Sequence, residues 1–376
     1  MLKSLYVLLA GSIVLAAAVA PLEADDPVST TVSFNREIIR IITRKCEPCH
    51  APGGLAMSLS DYRDARAWGR AIREELVEHR MPPPIVARGY GRYESDPSLN
   101  TREMATFLAW LDGGMPAGDE ADRPPRTNAV DPVGDADGRA SVRLSLPVQM
   151  VPAGEDLVIR RVTIDAGAVA GRPIARVQVR PGNRRVLRGA IVFATAGGAE
   201  SPSQLWIGSW LPWQHAVVPP PSHAFRLSTA ARLVVELYYR GADADVTDRS
   251  DVDVIFATAG AQGGIDDVVV EAAPDGSSAR VRGSVRLSQP TTIWAIHPAV
   301  DRSVATMELR AERPDKSVEV LLWIPKASPD WPVALVMPEP VSLPAGSTVW
   351  LVAETTERAG ALSRPRATLS VLSSGR

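Results

Sequence analysis

Both cysteines of the chain fall in one pentapeptide, Cys46-Glu47-Pro48-Cys49-His50. A chain whose thiols lie in one short segment has no disulfide framework, so its fold must be stabilised by ordinary burial of apolar side chains. The C-x-x-C-H spacing is the one that attaches a c-type haem, because two thiols bond to the porphyrin and the adjacent imidazole ligates the iron. We therefore predict one covalent haem c, attached by Cys46 and Cys49, with His50 as an axial ligand.

Two other interpretations of this pentapeptide account for less of it. A structural zinc site needs four ligands, and no second pair of cysteine or histidine residues follows at zinc-finger spacing. A redox pair of the thioredoxin type occurs in a βα context and leaves the following histidine unexplained. Haem attachment accounts for all three side chains, so we favour it over zinc and over a redox pair.

The second axial ligand of the iron is predicted to be Met81. This residue follows a predicted helix and precedes Pro82-Pro83-Pro84, a stiff extended loop that can hold a thioether against the iron. The rival is His79, which we interpret as a residue at the end of the helix. The remaining candidates, interpreted as core or surface residues, are Met57, Met104 and Met115.

The amino-terminal residues predict export from the cytoplasm. Lys3 precedes an uncharged apolar run from Leu5 to Ala20, after which acidic residues begin at Glu23. This order is that of a secretory signal peptide, which we assign to residues 1–24. An uncleaved membrane anchor is the alternative, because the run approaches the length that spans a bilayer. We expect a periplasmic or secreted protein, because haem is attached to such motifs outside the cytoplasmic membrane.

Residues 30–118 are predicted to form a helical domain. Apolar residues from Ile38 to Ile42 precede the haem motif, and a pattern of helical spacing runs from Tyr62 to His79. A third helix begins at Asn100, where Glu103 completes a capping pattern. Three helices around a haem resemble a small class I cytochrome c domain, and the segment EHRMPPP is similar to the Arg-Met-Pro-Pro motif of such cytochromes. The resemblance implies that Met81 corresponds to the axial methionine of these cytochromes.

The composition changes after residue 118. Residues 119–142 contain many Pro, Asp, Gly and Ala residues and are predicted to form a linker. Beyond them, β-branched runs such as Ile174–Arg180 and Val318–Ile324 are separated by Gly and Pro, which is typical of β-sandwiches. A turn-rich gap at 259–264 divides this part into 143–258 and 265–376. The predicted fold class is multidomain α plus all-β, with a helical cytochrome c domain followed by two β-sandwich (jelly-roll-like) domains.

Three segments of the β part resemble a known family. They are IARVQVRPGNRRVLRGAIVFA at 174–194, LVVELYYRGADADVTDRSDVDVIFA at 233–257 and DWPVALVMPEPVSLPAGSTVWLVAE at 330–354. These segments are similar to the framework of the copper type II, ascorbate-dependent monooxygenases, the family of peptidylglycine α-hydroxylating monooxygenase. The resemblance spans nearly all of residues 145–355, and bacterial relatives often carry a cytochrome c domain in front.

The copper ligands implied by that resemblance are missing. Residues 186–190 stand where the family has a His-His pair, and Tyr238-Tyr239 stand where it has a His-Tyr. Of the His-x-His of the other copper only His297 is present, and we interpret it as a strand histidine whose ring is satisfied. Copper held by His215 and His223, which fall on one predicted loop, is the remaining alternative. Copper is therefore not expected.

These features together predict electron transfer. The chain has 41 basic and 43 acidic residues, so its charge indicates neither nucleic acid nor an anionic membrane surface as a partner. Contact with a membrane is expected only if the signal segment is uncleaved. Haem iron with His and Met ligands suits electron exchange with a redox partner protein. We expect an electron carrier rather than an enzyme, with the monooxygenase-like β module docking a partner or binding a ligand.

Two other functions stay open at this point. In the first, the β module is a copper-dependent monooxygenase that receives electrons from its own haem in place of ascorbate. In the second, the chain is a sensor in which a small gas displaces Met81 from the iron. Copper content after metal loading tests the first, and the response of the reduced absorption spectrum to carbon monoxide tests the second.

Overall fold

The computed structural model describes residues 30–87, 89–94, 96–125, 138–195, 204–214, 216–274, 279–356 and 364–374. The signal peptide predicted for residues 1–24 lies outside these ranges, and so do residues 126–137 of the predicted linker. Among the helices in the described ranges, none has the length and apolar character needed to cross a membrane.

The helices of the described chain all lie ahead of the β structure. They are α1 (Ile39–Lys45), α2 (Glu47–His50), α3 (Tyr62–Ala67), α4 (Gly69–Val77) and α5 (Thr101–Asp112). A π-helical turn, Phe34–Ile38, precedes α1, and a 3₁₀ turn, Glu120–Asp122, follows α5. Beneath them lies a small apolar core centred on Phe34, Phe107 and Trp110. We call residues 30–123 the helical segment.

Helix α5 begins where the sequence predicts it. The Asn100 side chain accepts the Glu103 N–H at 2.9 Å, and the Glu103 carboxylate accepts the Asn100 N–H at 2.9 Å. The helix predicted from Tyr62 to His79 is instead broken at Trp68, whose φ of −90° and ψ of 2° end α3. Gly69 then approaches Met115 so closely that a Cβ on Gly69 would lie 2.3 Å from the sulfur. A larger residue at this position would therefore displace the Met115 side chain.

The predicted fold class is wrong. Strands account for 42% and helices for 15% of the structure, so the protein is mainly β, and the predicted helical cytochrome c domain is not seen. The physical reason is that the helices are short and the chain after α4 runs over β structure. The Ala87 N–H donates to the Trp323 carbonyl at 2.8 Å, and the Glu94 N–H donates to the Val336 carbonyl at 2.9 Å. Ile85 is buried in the core of the second β region.

The first β region consists of a three-stranded sheet (β1-β10-β4), a four-stranded sheet (β3-β8-β5-β6) and the pair β2-β9. Its strands are β1 (Ser141–Ser145), β2 (Gln149–Val151), β3 (Val158–Asp165), β4 (Ile174–Arg180), β5 (Leu187–Thr195), β6 (Gln204–Trp210), β8 (Arg232–Tyr239), β9 (Val246–Asp248) and β10 (Asp251–Phe256). Central strand β5 pairs with both β6 and β8 in antiparallel register, Ala190 lying opposite Trp210 and Leu237. This strand is buried on both faces, which accounts for its continuous apolar run.

The second β region contains two five-stranded sheets, with orders β17-β14-β19-β11-β7 and β12-β13-β18-β15-β16. Its strands are β11 (Gly263–Glu271), β12 (Ala273–Pro274), β13 (Arg280–Arg286), β14 (Thr291–Ala299), β15 (Val304–Glu312), β16 (Val318–Ile324), β17 (Leu335–Leu343), β18 (Thr348–Thr355) and β19 (Arg366–Ser373), joined by β7 (His223–Ala224) from the preceding region. Strand β7 pairs in parallel with β11, His223 lying opposite Gly263.

The two β regions share apolar packing. Trp294, Ala295 and Val336 of the second region belong to the same buried cluster as Trp206 and Val235 of the first. This joint packing fixes the β5 strand of the first region beside the connection that precedes β17 in the second. Both of these elements reach the helical segment, where Arg188 and Trp331 line a cavity together with the C-x-x-C-H residues.

Candidate functional site

The C-x-x-C-H motif forms a single helical turn. Cys46 is the residue before α2, and its carbonyl accepts the N–H groups of Cys49 at 3.0 Å and His50 at 2.8 Å. Pro48 suits the first turn because its missing N–H is not needed there. Residues three and four positions apart lie on one face of a helix, so Cys46, Cys49 and His50 face the same side. The local structure thus presents two thiols and an imidazole together.

The ring of His50 is oriented by the backbone. Its Nδ1 lies 2.9 Å from the Met57 carbonyl oxygen, which can only accept, so Nδ1 carries the proton and donates. The lone pair is then on Nε2, the nitrogen left for a metal. Burial lowers the pKa of His50 while the Met57 carbonyl raises it. A neutral imidazole with a fixed Nδ1 is the form that binds iron.

Burial also governs the two thiols. It raises the pKa of Cys46 and the pKa of Cys49 to about 12, so both are protonated at neutral pH. Redox-active cysteines of C-x-x-C oxidoreductases have a lowered pKa instead. The surroundings of these thiols therefore favour the haem interpretation over the redox pair.

An apolar cavity of about 430 Å³ lies in front of the motif. All three reactive side chains of the motif line it, together with Met57, Trp68 and Met81. These last three side chains are 43%, 43% and 40% exposed, respectively. Grouped apolar side chains around a cavity are typical of a ligand site rather than of bare surface. The lining therefore fits a large apolar group that is bound beside the thiols and the imidazole, as haem would be.

Met81 reaches this cavity from a loop that α4 holds in place. Its backbone N–H donates to the Glu75 carbonyl at 3.2 Å. The preceding Arg80 donates to the Glu75 carboxylate at 3.0 and 3.1 Å and to Glu74 at 3.0 Å. The structure thus brings Cys46, Cys49, His50 and Met81 to one cavity, although Met81 comes from a different segment of the chain.

The rival axial ligands are placed differently. His79 has a φ of 51°, the left-handed conformation common just after a helix, and it lines a neighbouring cavity of about 310 Å³. Met104 and Met115 pack against the core of the helical segment. Met57 does line the same cavity, but it lies only seven positions after His50, to which its carbonyl is hydrogen-bonded. Geometry therefore favours Met81, the cavity methionine from a segment remote from His50.

The β regions supply the opposite wall of the cavity, which sequence reasoning missed. Arg188, Trp213, Arg240 and Trp331 line it. The rings of Trp213 and Trp331 have centroids 5.0 Å apart, and the Arg188 guanidinium lies 5.4 Å from the Trp331 centroid. Arg188 also pairs with Asp330 at 3.3 Å. No local motif marks these residues, because only the tertiary fold brings them to the cysteines.

His297 lies elsewhere, between the two β regions. It is 2% exposed and stacks on Trp206, the ring centroids being 5.7 Å apart. A cavity of about 50 Å³ adjoins it and is also lined by Tyr238 and Arg366. Its Nε2 makes no hydrogen bond to any described residue, contrary to the satisfied ring predicted. Burial, with a smaller effect from the charge of Arg366, lowers its pKa to about 3.

The other residues considered for copper do not converge with His297. The Nδ1 of His223 lies 2.9 Å from the Ser222 hydroxyl, and His215 lies outside the described residues. The Tyr239 hydroxyl donates to Asp248 at 2.8 Å. Across the described ranges, His, Cys, Asp and Glu side chains nowhere form a group of three that could hold a free metal ion.

Comparison with known proteins gives little. No protein-family model matches the chain, and no curated protein matches it. Among solved structures, N-glycanase F is similar with a TM-score of 0.31 and 10% identity, over 63% of this chain and 96% of that one. The major capsid protein P2 from bacteriophage PM2 is similar with a TM-score of 0.25 and 9% identity, over 62% of this chain and 97% of that one. Likenesses this weak carry no information about function.

Proposed function

We propose that this protein is a periplasmic or secreted electron carrier with one covalent haem c. The observation that carries the proposal is the apolar cavity of about 430 Å³ onto which the C-x-x-C-H side chains and Met81 converge. Two thiols, an oriented imidazole and a thioether around one apolar cavity match what a c-type haem requires.

Each of the four residues has a role in this proposal. Cys46 and Cys49 would hold the porphyrin through thioether bonds, each thiol adding across one vinyl group. His50 would bind the iron through Nε2 while its Nδ1–H stays on the Met57 carbonyl, and Met81 would supply the other ligand of the iron. When bound, the haem supplies a one-electron couple whose potential a methionine ligand raises.

The β regions have a supporting role in the proposal. Their residues Arg188, Trp213, Arg240 and Trp331 line the cavity that would hold the haem. We propose that this monooxygenase-like module docks a partner or binds a ligand and is not catalytic. The Arg188, Trp213 and Trp331 contacts support a structural connection between the module and the haem.

The first test is the haem stoichiometry and the absorption spectra of the protein, produced in a host that matures c-type haem proteins. We expect one covalent haem per chain and, in the oxidised state, a weak sulfur-to-iron charge-transfer band at the red end of the spectrum. Absence of covalent haem in the secreted wild-type protein would contradict the proposal.

Matched variants then test the axial ligand. Met81→Ala is expected to lose the charge-transfer band, whereas Met57→Ala and His79→Ala keep it. Met57 is the closest control, since it is a comparably exposed methionine on the same cavity. A Met81→Ala spectrum identical to that of the wild type would refute Met81 as a ligand.

The same preparation tests the alternatives. Copper bound above background after metal loading would support the monooxygenase, and its absence would favour the electron carrier. A reduced spectrum that changes when carbon monoxide is added would support the gas sensor, because a strong-field gas must displace Met81 in order to bind.

A further inference from the structure

Two arginines from the first β region line the haem-motif cavity. Arg188 lies on β5, and Arg240 directly follows β8. Much of the remaining lining is apolar, including Met57 and Trp68. A cation beside apolar surface is costly unless an anion pairs with it. Asp330 pairs with Arg188 alone, and Arg240 has no ion-pair partner among the described residues. The wall therefore has one positive charge that a negatively charged part of the bound molecule would balance.

Arg188 is the more buried of the two. Its side chain is 11% exposed, it pairs with Asp330 at 3.3 Å, and its guanidinium lies 5.4 Å from the Trp331 centroid. Burial lowers the pKa of Arg188, Asp330 raises it, and nearby Arg240 lowers it again. The charges of Arg188 and Arg240 thus repel each other across this wall, and carboxylates bound to the two side chains would offset that repulsion.

Of the polar groups that line the cavity, those that lack a hydrogen-bond acceptor among the described residues lie on the β-region wall. Lys45 Nζ already donates to the Asp96 carbonyl at 3.1 Å, and Glu75 is paired with Arg80. The indole N–H of Trp213 is buried and has no hydrogen-bond partner among the described residues. The positive charges of the two arginines and the unpaired indole N–H of Trp213 therefore lie together on the β-region wall.

We propose that Arg188 and Arg240 bind the propionate carboxylates of the haem, so that the β regions complete the haem site. This inference rests on the proposed function, since it requires haem in the cavity. A haem carries two carboxylates, and a guanidinium fits a carboxylate with two parallel hydrogen bonds. Positive charge beside the porphyrin favours the reduced iron, which has one positive charge fewer, so these arginines raise the reduction potential.

The experiment compares wild-type holoprotein with Arg188→Met, Arg240→Met and Arg188→Lys. Arg185→Met is the matched control, because Arg185 is an exposed arginine three positions earlier that does not line the cavity. Three quantities are measured: covalent haem per chain, the reduction potential, and the pH dependence of that potential between pH 5 and pH 9. His50, Lys45, Glu75, Asp330 and Asp156 are the other titratable groups near this wall, and they are unchanged in every variant.

In both methionine variants we expect the ratio of reduced to oxidised haem at fixed ambient potential to fall about tenfold, a shift of about 59 mV for one electron. The pH dependence should move to higher pH, because a propionate without its cation holds its proton more tightly. Arg188→Lys should recover part of both effects, and Arg185→Met should show neither.

Each other outcome is decisive. One haem per chain with an unchanged potential and pH profile in both methionine variants overturns the propionate assignment and leaves the proposed function intact. Wild-type protein without covalent haem overturns the proposed function itself. Because Arg240 is exposed and makes no ion pair with a described residue, Arg240→Met is expected to fold even if loss of the Arg188–Asp330 pair destabilises Arg188→Met.

Discussion

Protonation of His297 should destabilise the fold at mildly acidic pH. Its imidazole is buried between the β regions with a pKa of about 3, against an ordinary value of 6.5. In the unfolded chain this histidine therefore binds a proton below pH 6.5, whereas in the folded chain it stays neutral down to about pH 3. The contribution of neutral His297 to the free energy of unfolding is thus fully present above pH 6.5 and is lost as the pH falls from 6.5 towards 3.

The size of the effect follows from those two values. At 1.36 kcal/mol for each unit of pKa, the unfolded state gains about 2 kcal/mol at pH 5 relative to pH 8 from this one group. In His297→Leu, which keeps a side chain of similar volume against Trp206, that contribution is absent. The free energy of unfolding of the variant relative to wild type should therefore rise by about 2 kcal/mol between pH 8 and pH 5.

The assay is urea unfolding followed by far-ultraviolet circular dichroism at pH 8, 7, 6 and 5, with haem-loaded protein in every case. The control is His79→Gln, a histidine substitution at an exposed position just after α4. If the His297→Leu and wild-type curves stay parallel from pH 8 to pH 5, the argument that burial holds His297 neutral is refuted.

Two further predictions concern single side chains. Burial raises the pKa of Asp267 to about 7, although its carboxylate accepts hydrogen bonds from the Trp206 N–H and the Ser370 hydroxyl. The contribution of protonated Asp267 to the free energy of unfolding is therefore fully present below pH 3.8 and is lost as the pH rises towards 7. Asp267→Asn should therefore gain stability relative to wild type from pH 4 to pH 7 in the same urea assay, and a constant difference would contradict this. Asn100→Ala removes the cap of α5 and should cost about 1 kcal/mol, with faster amide exchange in the first turn of α5. Unchanged exchange at Met104 would show that the cap is not needed.

Local sequence patterns predicted individual elements well. The run Ile174–Arg180 is strand β4 with the same bounds, and Val318–Ile324 is strand β16. Both runs contain β-branched residues and are bounded by turn-forming residues. This local pattern predicts a strand without reference to distant parts of the chain. The capping pattern at Asn100 is local in the same sense.

Elements whose stability depends on distant contacts were missed. Strand β19 buries Thr368 and Ser370, whereas the pattern rules expect polar residues outside. The Ser370 hydroxyl is satisfied by Asp267, more than a hundred positions earlier in the chain. The error in fold class has the same origin, because the segment after Met81 was expected to connect helices and instead bonds to Trp323 and Val336 of the second β region.

In the candidate site, too, only the residues of a local motif could be predicted from the sequence. Cys46, Cys49 and His50 are adjacent in sequence, so their shared chemistry could be predicted from spacing alone. Arg188 and Trp331 come to the same cavity from two β regions, and no sequence pattern relates them to the cysteines. A motif thus shows which cofactor to expect, whereas the tertiary fold shows what surrounds it.

The charge of that surrounding wall separates the two proposed uses of the β module. The monooxygenase resemblance places Arg188 in the stretch where the family has its His-His pair. Arg188 and Arg240 would both repel a divalent copper ion bound between them, by an amount that grows as water is excluded. The same two charges attract the carboxylates of a haem. Electrostatics at this wall therefore oppose copper and favour haem even without the argument from the missing histidines.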